Sequence, residues 1–121
     1  MKGAMMKENG PGKLLRIFIG ENDRADRQPL YQAIVLKARE HGLAGATVLR
    51  GPMGFGARSH LHTAKILRLS EDLPLIIEIV DTEEKIRAFL PELAAVVQDG
   101  LITLETVEII RYRASSDKPV Q

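Results

Sequence analysis

Between residues 14 and 112 the apolar residues alternate between a period of two and a period of about 3.6, strand and helix spacing respectively. Leu15, Ile17 and Ile19 interleave with Leu14, Arg16 and Phe18, which is strand spacing. Leu30, Ala33, Ile34, Ala38 and His41 then recur at helical spacing, with Pro29 suited to the first turn and Gly42 to the C′ position. A short strand is expected over 45–51 and a stronger one over 73–80, where Leu75, Ile77 and Ile79 share a face. Asp81 and Glu84 suggest a capping box for a second helix carrying Ile86, Phe89, Leu90, Leu93, Ala94 and Val97. Pro91 lies inside that helix, where it should kink the axis. A last β-rich stretch runs from Ile102 to Tyr112.

The order β-α-β-β-α-β is the split βαβ, ferredoxin-like arrangement. The expected fold class is therefore α+β, a four-stranded antiparallel sheet with two helices on one face. Those helices leave Leu14, Phe18, Ile76 and Val80 on an uncovered face, which predicts an oligomer. Residues 1–13 lack periodicity and are expected to form a flexible N-terminal tail. The domain spans 14–113, and 114–121 are expected to form a flexible C-terminal tail.

Composition narrows the function. The chain has 121 residues, enough for one domain with its own core. It has no cysteine, so thiolate chemistry, disulfides and iron–sulfur clusters are excluded. Lys and Arg number 17 against 16 Asp and Glu, so no global field draws it to nucleic acid. Five aromatics and no Trp make a poor base-stacking platform. No apolar run approaches the ~20 residues of a membrane helix, so the chain is not expected to be membrane-inserted. It is expected in the cytoplasm.

The stretch from Arg50 to His60 (RGPMGFGARSH) carries Gly51, Gly54 and Gly56 between Arg50 and Arg58. Glycines let a ligand approach the backbone, and exposed N–H groups form anion-binding nests. The pattern is neither a Walker loop nor a dinucleotide fingerprint, and a plain hairpin loop has the same composition. His60 and His62 form a pair that faces one side of an extended chain, a metal-binding alternative without an evident third ligand. Glu21, Asp23 and Asp26 alternate with Arg24 and Arg27, and the group reads as a self-paired, solvated loop. Arg111 and Arg113 share a face of the expected last strand and suit a phosphate or a charged sheet edge. No serine has a nucleophile-elbow context, and no enzyme is expected.

Leu14–Glu21 (LLRIFIGE), Gly45–Gly51 (GATVLRG), Gly54-Phe55-Gly56 and Asp72–Asp81 (DLPLIIEIVD) resemble domain-of-unknown-function family 190. That family is similar to the PII nitrogen-regulatory signalling proteins. The resemblance implies a homotrimer that binds adenine nucleotides between subunits. It implies a T-loop, here about 56–72, that docks on a membrane transporter or cytosolic enzyme. Gly54-Phe55-Gly56 resembles the start of that loop, and Gln98 to Thr103 stands at the position of the phosphate-binding B-loop. Here Gly100 is kept, but the lysines of that loop are absent. A triphosphate needs cationic partners, so tight ATP binding is not expected; AMP or ADP, another small anion, or no ligand stays open, with no certain cofactor. The ligand-binding set is Arg50, Gly51, Gly54, Phe55, Gly56, Arg58, Gly100, Arg111 and Arg113, with the neighbouring subunit supplying the B-loop-like turn and last strand. The alternative resembles the divalent-cation-tolerance proteins and uses His60 and His62.

Overall fold

The computed structural model describes residues 10–55 and 72–114. Its strands and helices follow in the order β1 (Gly10–Gly20), β2 (Arg24–Ala25), β3 (Gln28–Pro29), α1 (Leu30–Glu40), β4 (Thr47–Arg50), β5 (Pro74–Asp81), α2 (Glu83–Val96) and β6 (Leu101–Ile109). The main sheet has the strand order β4-β5-β1-β6, and every pairing is antiparallel. This is the expected βαββαβ topology, with a two-residue β2/β3 ribbon inserted before α1.

Period-two spacing explains the two faces of the sheet. Leu15, Ile17, Leu75, Ile77 and Ile79 are buried against Ile34, Ile86, Phe89 and Leu93 of the helices. Full burial of each such side chain contributes roughly 1.5–3 kcal/mol, which makes this face the main support of the fold.

On the opposite face, residues align in cross-strand rows. Leu101, Phe18, Ile76 and Leu49 form an apolar row, one residue from each strand. The next row is Thr103, Arg16, Glu78 and Thr47. There Arg16 donates through Nε to Glu78 at 2.9 Å and through Nη1 to Glu105 at 3.1 Å. The bond to Glu78 is the main reason the Arg16 guanidinium is held above its ordinary value; desolvation opposes it, and the charges of Glu105 and Glu78 add to it. Arg16 is therefore a fixed positive charge. Leu49 and Leu101 are 44% and 56% exposed, so the apolar row stands open in the single chain.

Local chemistry sets the element ends. α1 closes with a Schellman motif: Leu43 N–H donates to Ala38 O and Gly42 N–H to Arg39 O, both at 3.1 Å. Gly42 takes φ +73°, as its C′ position requires. At the start of α2 the cap is Thr82, whose hydroxyl accepts from Lys85 N–H at 3.3 Å; it is not Asp81. Asp81 is instead 1% exposed and accepts from Ala44 N–H at 2.9 Å and Thr82 N–H at 2.7 Å. Its non-local partner explains why the local capping-box reading fails. Pro91 does not end α2, which runs on to Val96.

Four further expectations are corrected. Residues 10–13 belong to β1, not to a tail. Gly10 and Gly12 pair with Ile109 and Val107, and a Cβ on Gly12 would run into the Ile109 side chain. Pro29 precedes α1 as its N-cap, and its ring suits that extended conformation. The second strand covers only 47–50. β6 begins at Leu101 and ends at Ile109, so Arg111 and Arg113 lie beyond it. Residues 115–121 of the expected C-terminal tail lie outside the described residues.

Candidate functional site

One end of the main sheet gathers the end of β1, the end of β4, the start of β5 and the start of β6. The antiparallel register places Gly20 beside Pro74, Arg50 beside Leu75 and Leu101 beside Phe18. The long β4–β5 connection leaves and returns at this end.

The departing stem folds over Pro74. Gly51 N–H donates to Pro74 O at 2.8 Å. A Cβ on Gly51 would stand 3.0 Å from Pro74 Cγ, and one on Gly54 3.1 Å from the same atom. Gly54 also takes φ +157°. These glycines let the stem lie flat on the proline ring. Met53 and Phe55 then project outward, and Phe55 is 68% exposed.

The returning stem is tied to the β1–α1 loop. Glu21 N–H donates to Leu73 O at 2.8 Å, and Asn22 N–H to Asp72 Oδ1 at 3.0 Å. Arg50 Nη2 closes the arrangement by donating to Glu21 Oε2 at 2.6 Å. The acidic loop is therefore not self-paired as expected. Its Glu21 reaches Arg50, and its Asp23 accepts from Gly20 N–H at 3.0 Å. Asp23, Arg24 and Asp26 also line a polar cleft opposite Gln98 and Asp99 of the α2–β6 turn.

Gly100 ends that turn. It takes φ +154°, and a Cβ there would stand 2.7 Å from Phe18 O. Because β6 starts at Leu101, the B-loop-like turn contracts from the expected 98–103 to Gln98–Gly100. Leu101, Ile102 and Thr103 are bound into the sheet opposite Phe18, Ile17 and Arg16.

Arg50, Gly51, Gly54 and Phe55 thus form one local group. Gly100 lies at the same sheet end, but β5 and β1 separate its strand from β4. Arg111 and Arg113 follow Ile109, which pairs with Gly10 at the far end. A single chain does not bring them to Arg50. Gly56, Arg58, His60 and His62 lie outside the described residues. Among the described residues, no three His, Asp or Glu side chains are grouped to hold a metal. Glu21 is the residue at this end that local sequence reasoning missed.

A βαββαβ sheet of this kind is the fold of solved PII-like proteins. A protein assigned to PII-like signalling, from Thermus thermophilus, aligns with a TM-score of 0.59 at 18% identity, over 86% of this chain and 94% of its own. CPII of Thiomonas intermedia K12, solved with ADP, AMP and acetate, aligns with a TM-score of 0.55 at 17% identity, over 84% and 91%. At those identities the likeness is one of fold. The family is shown by sequence: the model of DUF190, described as an uncharacterized ACR family, matches residues 12–109, and this chain belongs to that family. A UPF0166 protein of Aquifex aeolicus is 44% identical over 98 residues, which is 81% of this chain and 92% of that protein. Among the described residues no helix is long and apolar enough to cross a membrane.

Proposed function

We propose that this chain is a non-catalytic PII-like regulator that binds AMP, ADP or another small anion between subunits of a homotrimer. The observation that carries the reading is the Gly51–Gly54 stem beside Arg50, in a fold shared with a protein solved with ADP and AMP. Two features support the trimer. The apolar row Leu101–Phe18–Ile76–Leu49 needs a cover. The turn at Gly100 and the residues after β6 lie away from Arg50 within one chain. A neighbouring copy supplies them to the cleft.

The nucleotide's phosphate meets Arg50 and the stem N–H groups beyond Pro52 of one subunit, since Gly51 N–H is bonded to Pro74 O. The partner's Gly100 turn and the segment holding Arg111 and Arg113 close the other side. The short turn has no lysine, which favours AMP and ADP over ATP. Occupancy biases the β4–β5 connection, 56–72, between arrangements that meet a partner differently. The partner class is a transporter or a cytosolic enzyme.

Isothermal titration with AMP, ADP, ATP and cyclic dinucleotides tests the ligand, and light scattering tests the assembly. The reading expects saturable binding of AMP or ADP and a mass near three times the 13.4 kDa chain. No heat at millimolar nucleotide from a purified trimer would end the nucleotide reading.

A further inference from the structure

The two partners of the Glu21–Arg50 pair are held very differently. Glu21 sits on a fixed backbone: its own N–H is bonded to Leu73 O, and those of Gly20 and Asn22 are taken by Asp23 and Asp72. Its side chain is 24% exposed, whereas that of Arg50 is 60% exposed. The carboxylate is the more buried group, and the more exposed guanidinium meets it at 2.6 Å.

A guanidinium has five N–H donors in a planar fork. The bond to Glu21 uses one at Nη2, so the fork still has donors for an anion. An anion has two ways to reach Arg50. It can displace Glu21, or it can share the fork and lie close to a carboxylate. Both routes carry a penalty that grows with the anion's charge, because like charges a few ångströms apart repel.

We infer that Glu21 is a specificity residue of this site, selecting weakly charged phosphate ligands over highly charged ones. The inference rests on the proposed anion site at Arg50. Glu21 holds Arg50 in reach of a ligand and raises the cost of each further negative charge there. A nucleoside monophosphate meets the smallest penalty and a triphosphate the largest. This acts alongside the absence of lysines from the Gln98–Gly100 turn.

The test is titration of AMP, ADP, ATP and inorganic pyrophosphate into the full chain and its Glu21→Gln, Glu21→Ala and Arg50→Ala variants. Glu21→Gln keeps the side-chain volume and the backbone bond to Leu73, and a thermal melt checks each fold. Glu21→Ala serves if the glutamine variant misfolds. The expected result is an ATP affinity raised about three- to tenfold by loss of the carboxylate charge, with a smaller gain for AMP. Arg50→Ala should weaken all the anions. Equal or weaker ATP binding in both Glu21 variants overturns the selectivity while leaving a nucleotide site intact. So does an Arg50→Ala protein that binds as well as the wild type. If pyrophosphate alone binds, and more tightly without Glu21, the selectivity stands and the nucleotide reading falls. If no anion binds to any variant, both fall.

Discussion

Gly100→Ala tests whether the α2–β6 turn depends on a missing side chain. The new Cβ would stand 2.7 Å from Phe18 O, 3.3 Å from Val97 Cγ1 and 3.4 Å from Ile19 Cγ2. The first contact is the costly one. Phe18 O belongs to β1, a central strand bonded on both sides, and it cannot retreat without disturbing both ladders. The backbone angle adds to this, since φ +154° is a region that alanine rarely enters. Strain of about 1–3 kcal/mol from the angle, with about 1–3 kcal/mol from overpacking, gives about 2–6 kcal/mol. For a domain of this size each kcal/mol lowers Tm by about 4–8 °C, so a loss of at least 8 °C is expected. Gly45→Ala is the internal control, because a Cβ there meets nothing within 4 Å. Calorimetry on both variants decides the matter. A Gly100→Ala protein melting within ~2 °C of the Gly45→Ala control would refute the reasoning.

Replacing Leu49 and Leu101 together by Glu puts charge on the open apolar row, where both residues are already exposed. If the proposed trimer forms through this row, light scattering should return a trimer mass for the wild type and one chain of 13.4 kDa for the variant, and the same mass for both would count against the row as the interface. Asp81→Ala removes the acceptor for Ala44 and Thr82 N–H groups inside the fold. Two lost charge-assisted bonds put the cost at about 3 kcal/mol or more in urea unfolding, and a loss below ~1 kcal/mol would mean that water replaces them. Thr82→Ala removes only the N-cap and should cost about 1 kcal/mol. A cost equal to that of Asp81→Ala would show that the two residues act as one unit.

Period-two and period-3.6 spacing made the order of the main elements legible, because burial on one face leaves its mark every second or every third to fourth residue. Leu15, Ile17 and Ile19 needed only their neighbours to be read. Gly42 was legible for a local reason as well, since it follows the last helical residues. What failed depended on distant partners. Gly10 and Gly12 look like tail residues until Ile109 is laid across them. Asp81 looks like a cap until Ala44, 37 residues away, claims its carboxylate. Glu21 looks self-paired because Arg24 and Arg27 are near in sequence, whereas its partner Arg50 lies 29 residues on. At the candidate site, Arg50 and the glycine stem were legible as a composition. Their position at one sheet end, with Arg111 and Arg113 at the other, follows from the strand order and could not be read from spacing.

That strand order also bears on what a ligand at Arg50 would influence under the proposed reading. Glu21 touches two other parts of the chain through two groups. Its carboxylate holds Arg50 at the departing stem, and its N–H holds Leu73 at the returning stem. Asn22 adds Asp72, and Gly51 bonds directly to Pro74, so both stems and the β1–α1 loop form one connected set. A ligand shifts a conformational equilibrium only as far as it interacts differently with the two states. An anion that draws Arg50 away from Glu21 does so directly, because it breaks the contact between the two side chains. An anion that shares Arg50 with Glu21 leaves that contact in place and shifts little. Under the proposed reading, displacement rather than tightness of binding is what makes a ligand an effector. Two ligands of equal affinity can then differ in their effect on the β4–β5 connection.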